Sequence, residues 1–239
     1  MPDAGPAPNF VWCVSGRGMV VRSLFAAQRA GLLKSRISAI LTDRPCEIES
    51  FAAAEGIPCE RLQSINPDDR AAFDNEIVAC LKAARANWVG LTFNRLIGRN
   101  VIDHVEGRVI NLHMSLLPAF SGFYAIKNAL AAGVRVAGVT VHLADCGVDA
   151  GPILGQLPCA VQPTDDVETL GRRLFQCAVP LVLQMVRSIE TAAVVLDDAR
   201  RPNWSHDVKA SPHGFPSIDS DLGDFASAFC ESLLTKKYE

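Results

Sequence analysis

The sequence predicts an α/β fold with a mostly parallel, doubly wound sheet and helices on both of its faces. Short apolar runs alternate with longer helical stretches through the first half of the chain, as in parallel strands joined by crossover helices. These runs end at glycines or polar residues, as buried strands do where they enter turns. At 239 residues, 49% of them hydrophobic, the chain is long enough to bury a core around such a sheet.

The first half of the chain is predicted to form three strands and three helices in alternation. The strands are 10–14, 37–42 and 88–93, with a further extended segment at 57–59. The helices are 19–30, 47–55 and 68–85. Gly31 and Gly56 close the first two helices, and Asn66 and Pro67 begin the third, because glycine and proline interrupt a helical backbone. This order of elements is Rossmann-like.

The second half is predicted to add an antiparallel part to the sheet. Strands are expected at 108–112, 139–143 and 153–161, with a short one at 192–196, and the 153–161 strand pairs antiparallel with its predecessor. A loop at 115–124 leads into a helix at 125–132, and the longest helix covers 165–189 with Thr164 and Asp165 as its cap.

Composition shifts divide the chain into three parts. We predict a disordered leader at 1–8, one globular domain at 9–200 and a C-terminal tail at 201–239. The tail contains a helix at 219–234, and we expect the core not to need it.

Charge and cysteine content exclude several classes of protein. With 23 Lys and Arg, 26 Asp and Glu and a net charge of −3, the chain has no basic excess for nucleic acid. No apolar run reaches the ~18 residues of a membrane span. The eight cysteines are scattered without a C-x-x-C pair, which is typical of buried thiols in a reducing compartment. We therefore expect a cytoplasmic protein with no nucleic-acid or membrane partner.

Three polar clusters follow predicted strands, where open sheets of this class bind ligands. The first is Ser-Gly-Arg-Gly at 15–18. Its G-x-G pair, with Asp43 as a ribose-binding acid, would suit the start of a dinucleotide fingerprint. Val21 stands where the third glycine belongs, so a tight turn with exposed backbone N–H groups is the other interpretation.

The second and third clusters offer groups for acid–base chemistry. Asn111 and His113 are two residues apart in a strand and point to the same side, where an amide and an imidazole suit a developing oxyanion. A turn-forming Asn and a structural His are the alternative. In the third cluster, at 145–152, Asp149 either forms an Asx turn or orients His113. No further carboxylate or nearby histidine completes a metal-ligand set, so we expect no metal.

Together, the Asn-Leu-His-Met-Ser-Leu-Leu-Pro run at 111–118 and the Val-Asp-Ala-Gly-Pro-Ile run at 148–153 resemble the 10-formyltetrahydrofolate-dependent formyltransferases. Within this family they are most similar to the members that formylate glycinamide ribonucleotide. That family places the Asp 38 residues after the Asn, as here, since 149 − 111 = 38. Further matches are Phe-Asn-Arg-Leu at 93–96, Gly-Val-Thr-Val-His at 138–142, and Gln156. The resemblance covers about residues 9–196 and implies a formyltransferase sheet.

The resemblance also implies roles for individual residues. An acceptor amine would attack the formyl carbon, Asn111 and His113 would donate hydrogen bonds to the tetrahedral oxyanion, and Asp149 would hold His113 and help move the amine proton. The pterin of the folate co-substrate would bind mainly to backbone groups of two segments. The co-substrate residues are Phe93, Asn94, Arg95, Leu96, Ile97, Cys146 and Val148.

The acceptor positions depart from the pattern of the glycinamide ribonucleotide enzymes. Where those enzymes continue G-x-G with Ser and Asn at the substrate phosphate, this chain continues Gly18 with Met19 and Val20. On the longest helix we align Phe175 and Ala178 with a Gln and a Glu that contact the substrate. An apolar lining does not offset the desolvation of a phosphate, although backbone N–H groups can bind one.

We therefore predict an enzyme that formylates a primary amine or hydroxylamine other than glycinamide ribonucleotide, such as a nucleotide-linked amino sugar or an ornithine-like amine. The purine-pathway enzyme that acts on glycinamide ribonucleotide is the first alternative. A formyltetrahydrofolate hydrolase, a non-catalytic folate-binding protein and a nicotinamide-dependent oxidoreductase are the others. The expected partners are the small-molecule amine and 10-formyltetrahydrofolate, and the chain is either a monomer or a homodimer.

Overall fold

The fold is described by a computed structural model of residues 7–64 and 69–235. The strands are β1 (Asn9–Val14), β2 (Arg36–Thr42), β3 (Cys59–Arg61), β4 (Trp88–Thr92), β5 (Val109–His113), β6 (Val136–Leu143), β7 (Ile153–Ala160), β8 (Val194–Leu196) and β9 (Pro202–Trp204). The helices are α1 (Met19–Arg29), α2 (Glu47–Glu55), α3 (Arg70–Ala84), α4 (Arg99–His104), α5 (Ala125–Ala131), α6 (Val167–Glu190) and α7 (Ser220–Thr235).

Seven of these strands form one twisted layer, in the order β3-β2-β1-β4-β5-β6-β7. The first five pair in parallel, whereas β6 runs antiparallel to both β5 and β7. The predicted mostly parallel, Rossmann-like sheet is therefore confirmed. From β1 the chain adds β2 and β3 on one side and β4 and β5 on the other, so the direction of winding reverses between β1 and β4. In a sheet of this kind, ligands bind at the carboxyl ends of the two strands beside such a reversal.

Apolar side chains fill both faces of this sheet. In β1, Phe10 and Trp12 face a core shared with α1, α2, α6 and α7, while Val11 and Cys13 face a second core under α3 and α4. All four side chains are at most 1% exposed. Burial on both faces explains why β1 reads as a continuous apolar run rather than an alternating one.

Most predicted elements lie within three residues of their observed bounds, and three features differ. The α4 helix was not predicted, because six residues are too few to display a helical period. The α6 helix is capped by Asp166, whose carboxylate accepts from Thr169 N at 2.8 Å in a capping box, so Thr164 and Asp165 are not its cap. The β8 strand pairs with the unpredicted β9 rather than with the central sheet.

Two predictions concern residues outside the described ranges. The disordered leader falls largely on residues 1–6, and the predicted start of α3 at Asn66 and Pro67 falls on residues 65–68. Within the described residues, Asp69 caps α3 by accepting from Ala72 N at 3.0 Å.

The C-terminal tail contributes to the core, which corrects the expectation that the core does without it. Leu222, Ala226 and Cys230 of α7 are at most 7% exposed and pack in the same cluster as α6. Arg187 of α6 also forms ion pairs with Asp219 and Asp221 at 3.0 and 2.7 Å. The tail therefore covers an apolar face of α6 that would otherwise meet water.

Within residues 7–64 and 69–235, none of the helices has the length and apolar character needed to cross a membrane. The cytoplasmic location remains a prediction from the sequence.

Candidate active site

A cavity of about 630 Å³ opens at the carboxyl ends of β1, β4 and β5. This volume is typical of a small-molecule site. The predicted site residues that line it are Asn111, His113, Asp149, Phe93, Asn94, Arg95, Leu96, Ile97, Cys146, Val148, Gly18, Met19, Val20 and Phe175. Three clusters far apart in the sequence thus meet around one space.

A buried histidine on the neighbouring strand orients the side-chain amide of Asn111. Asn111 and His142 are cross-strand partners in the β5–β6 pair. His142 Nδ1 lies 2.9 Å from the Leu143 carbonyl, which can only accept, so Nδ1 carries the proton. Burial lowers the pKa of His142 and keeps the ring neutral, so its Nε2 accepts from Asn111 Nδ2 at 3.1 Å. One N–H of the amide is thereby fixed.

Asp149 lies between Asn111 and His113 and contacts both. Its Oδ1 accepts from Asn111 Nδ2 at 3.4 Å, and its Oδ2 lies 3.3 Å from His113 Nδ1 and accepts from Gly122 N at 2.7 Å. The 3.6 Å contact of Oδ1 with His142 Nε2 is not an ion pair, because that ring is neutral. Asp149 adopts a positive φ of 51°, a conformation uncommon outside glycine, and these contacts hold it there.

His113 faces a hydrogen-bond acceptor at each ring nitrogen. Nδ1 faces the Asp149 carboxylate, and Nε2 lies 3.0 Å from the Phe120 carbonyl. Acceptors on both sides match the doubly protonated ring, in which both nitrogens are donors. The side chains of His113 and Asp149 are only 9% and 12% exposed, so water screens their interaction weakly.

A buried hydroxyl fixes the loop that carries the Phe120 carbonyl. Thr140 Oγ1 donates to Ser115 O at 2.6 Å and accepts from Leu117 N at 3.1 Å and from Gln156 Nε2 at 3.0 Å. Because Thr140 is the cross-strand partner of His113, the loop and the imidazole share one support. Chemically, the arrangement supplies an oriented amide donor, an imidazole and a carboxylate within one shielded space.

Apolar side chains wall one end of the cavity. Leu96 and Val148 are 43% and 48% exposed, although both are large and apolar. They project from the 93–97 and 146–149 segments, where the family resemblance implies that the pterin binds. A planar aromatic ring would cover such side chains from water and still reach backbone polar groups, so these residues fit the folate that the family resemblance implies.

At the acceptor end, the structure corrects one assignment. Gly18, Met19, Val20 and Phe175 line the cavity, but Ala178 does not. Ala178 is 0% exposed and packs in the main core. Ala178 follows Phe175 by three residues, which places it ~4.5 Å further along the axis of α6. Since α6 runs from the cavity into the core, this step takes Ala178 out of the cavity. Of the two residues predicted on this helix, Phe175 therefore lines the cavity and Ala178 does not.

Sequence reasoning missed several residues that line the same cavity. Two cations, Arg70 at the start of α3 and Lys127 on α5, line it. So do Phe123 and Tyr124, which are 63% and 70% exposed. No local pattern marks these residues, because cationic and aromatic side chains are common at helix starts and in loops that have no role in binding. His142 had been noted only as a family match, and its alternating strand pattern gave no sign that it contacts Asn111.

The alternative chemistries weighed from the sequence find no support at this cavity. Among residues 7–64 and 69–235, no three His, Cys, Asp or Glu side chains form a group that could hold a metal ion; the absence of a metal remains a prediction. Asp43, considered as a ribose-binding acid, instead has a fully buried side chain paired with Arg44 and Arg95 at 2.6 and 3.4 Å.

Comparisons with known proteins find similar sequences and similar solved structures. Residues 8–186 match the family model described as Formyl transferase. Phosphoribosylglycinamide formyltransferase of Mycobacterium tuberculosis is 36% identical over 197 residues, which are 82% of this chain and 91% of that protein. The Bacillus subtilis protein of the same name is 32% identical over 70% of this chain and 87% of its own length. The crystal structure of glycinamide ribonucleotide transformylase 1 from Symbiobacterium toebii has a TM-score of 0.79, 30% identity, and coverage of 84% of this chain and 95% of that one.

Proposed function

Because this chain belongs to the formyl transferase family and is a folate-dependent formyltransferase, we propose that it formylates the amine of glycinamide ribonucleotide. One observation carries this choice of acceptor. The relatives that match it over 91% and 87% of their length, at 36% and 32% identity, are phosphoribosylglycinamide formyltransferases. The sequence alone favoured another amine, and this similarity instead supports the first alternative.

The catalytic residues would act on charge that develops during transfer. The folate co-substrate supplies an electrophilic formyl carbon. The Asn111 amide has two N–H groups, one bonded to His142 and the other in a longer, weaker contact of 3.4 Å with Asp149. The second N–H is the one that Asn111 offers to the oxyanion. His113 would donate from Nε2 to the oxyanion once the substrate displaces the Phe120 carbonyl, and Asp149 would take the proton of the attacking amine, directly or through water. The intermediate then collapses: the bond between the formyl carbon and the folate nitrogen breaks, that nitrogen receives the proton, and tetrahydrofolate leaves. Loss of one oxyanion donor typically lowers turnover by ~10²–10³-fold.

The start of α1 offers a place for the acceptor phosphate. Gly18 caps this helix with a φ of 62° and makes no side-chain cap, and the first turn carries no acidic residue. Its first backbone N–H groups therefore point out unpaired, together with the positive end of the helix dipole. Arg17 lies beside this turn, 60% exposed, and its 3.4 Å contact with Glu47 is solvent-exposed and weak. This arrangement supports phosphate binding without the Ser and Asn side chains.

A second candidate acceptor is an amine that carries an apolar or sugar-like body. Met19, Val20 and Phe175 replace polar substrate contacts, and their side chains border the cavity. Two lost contacts to a charged phosphate would cost ~1.5–3 kcal/mol each. An amine with a nucleobase, sugar face or alkyl chain would instead pack against these side chains.

Turnover of 10-formyltetrahydrofolate against a panel of amines distinguishes the two candidates. The panel contains glycinamide ribonucleotide, nucleotide-linked amino sugars and N-hydroxyornithine. We expect a kcat/KM for glycinamide ribonucleotide of ~10⁴ M⁻¹s⁻¹ or more, as for an ordinary enzyme with its substrate. A value at least ~10²-fold below that of another panel member would contradict the proposal and favour the second candidate.

Variants test where the acceptor lies. Arg17→Ala should raise the KM for glycinamide ribonucleotide by ~10-fold, since charged hydrogen bonds contribute ~1.5–3 kcal/mol. Arg29→Ala is the matched control, because Arg29 forms a similar exposed ion pair at 3.0 Å, with Glu55, at the other end of α1. If glycinamide ribonucleotide is a poor substrate, Met19→Ser with Val20→Asn and Phe175→Glu should improve it.

A further inference from the structure

Asp43 is a buried carboxylate at the carboxyl end of β2 that the reaction as described does not use. Its side chain is 0% exposed. Arg44 binds it with two hydrogen bonds, Nε to Oδ1 at 3.1 Å and Nη2 to Oδ2 at 2.6 Å. Burial by itself would raise the pKa of Asp43, but hydrogen bonds from Arg44 and from the Ser15 hydroxyl hold it below the ordinary value. Asp43 is therefore a satisfied, charged group.

The contacts of Asp43 reach the segment that walls the folate end of the cavity. Arg95 Nε lies 3.4 Å from Asp43 Oδ2. The Ser15 hydroxyl, whose hydrogen bonding lowers the pKa of Asp43, accepts from the backbone N–H of Asn94 at 2.8 Å. Two routes thus join this carboxylate to residues 94 and 95. Because β2, β1 and β4 are adjacent in the sheet, the network ties together the loops that follow three neighbouring strands.

The far end of the same segment is tied in a similar way. The backbone N–H of Gly98 donates to Asp74 Oδ1 at 2.8 Å, and Asp74 is 4% exposed. Phe93 stacks on Phe73 with ring centroids 5.9 Å apart. Residues 93–98 are thus held at both ends by buried carboxylates, and the part between them lines the cavity.

We propose that Asp43 is a positioning residue for the folate co-substrate, which it serves by fixing the backbone of residues 94 and 95 through Ser15 and Arg95. The inference rests on the folate-dependent activity and not on the choice of acceptor. A segment fixed before binding loses less conformational freedom when it closes on a ligand, so the effect belongs to folate affinity. Asp43 itself lies behind the wall and need not touch substrate.

The test compares Asp43→Asn with Glu190→Gln in the full-length protein. Glu190 is a matched control because it also holds a loop next to β2, at the opposite end of that strand from Asp43. It accepts from Lys34 N at 3.0 Å and from Ser35 N at 2.5 Å, and it lies outside the cavity lining. Asp43→Asn should raise the KM for 10-formyltetrahydrofolate, and the Kd for tetrahydrofolate measured anaerobically, by at least ~10-fold with kcat within about threefold of wild type. Glu190→Gln should lower Tm without changing either constant.

Three outcomes would overturn the inference: an unchanged Kd in Asp43→Asn, a fall in kcat alone, or an equal Kd change in Glu190→Gln. If Asp43→Asn does not fold, Ser15→Ala carries the test, with the same rise in Kd expected and Ser15→Thr expected to restore binding because it keeps a hydroxyl. The tetrahydrofolate titration needs no acceptor. A wrong acceptor would therefore appear only in the amine panel and would leave this result standing.

Discussion

Replacing Asp149 by Asn tests the catalytic geometry most directly. The substitution keeps the shape of the side chain and an oxygen to accept from Gly122 N, now at 2.7 Å, but removes the charge 3.3 Å from His113 Nδ1. At this distance and an effective dielectric constant of about 20, the charge pair is worth at most about 5 kcal/mol. The amide also cannot take a proton from the attacking amine. We expect kcat to fall by ~10²–10³-fold, which corresponds to ~3–4 kcal/mol of transition-state stabilisation.

The assay is steady-state transfer with 10-formyltetrahydrofolate and the best amine of the panel. The KM for the folate should stay within about threefold, because the lost interaction acts mainly in the transition state. Asp103→Asn is the control, since it removes a carboxylate paired with Arg200 at 2.8 Å, away from the cavity lining. A kcat for Asp149→Asn within about threefold of wild type would refute the reasoning, because a proton-transfer group contributes ~10²–10⁴-fold.

Three further predictions concern stability. Burial lowers the pKa of His142 in the folded state, so the unfolded chain binds a proton at this residue first as the pH falls. The free energy of unfolding should therefore decrease below about pH 6.5, the ordinary pKa of histidine. In denaturant titrations, His142→Gln should flatten this pH dependence. Gly90→Ala would place a Cβ in steric overlap with the Trp12 ring and should destabilise the fold by ~1–3 kcal/mol. Gly171→Ala, whose new Cβ would have its nearest neighbour at 3.6 Å inside α6, should be neutral or stabilising in thermal melts. Leu222→Ala empties a 0% exposed site on α7 and should cost ~2–5 kcal/mol; a loss below ~0.5 kcal/mol, as at a surface position, would show that the core does without the tail.

Local pattern was sufficient for most elements of the fold, although it missed the short α4 and β9. Apolar runs bounded by glycine predicted β1, β2 and β4, and α2 begins and ends as predicted because Gly56 takes the left-handed conformation with a φ of 67° that stops a helix. The two-residue spacing of Asn111 and His113 likewise placed both side chains on one side of β5, since the strand period is two.

The sequence by itself thus determined the order of strands and helices, the parallel sheet, the family, and the residues at the ends of its strands. Only the tertiary structure decided which side chains meet. It placed His142 behind Asn111 through the β5–β6 register, joined Asp43 to Asn94 through Ser15, and left Phe175 but not Ala178 in the lining of the cavity. The physical reason is that period, caps and turns act between residues close in the chain. Contacts across strands depend on sheet order and register, and the depth of a residue along α6 depends on how that helix packs against the sheet.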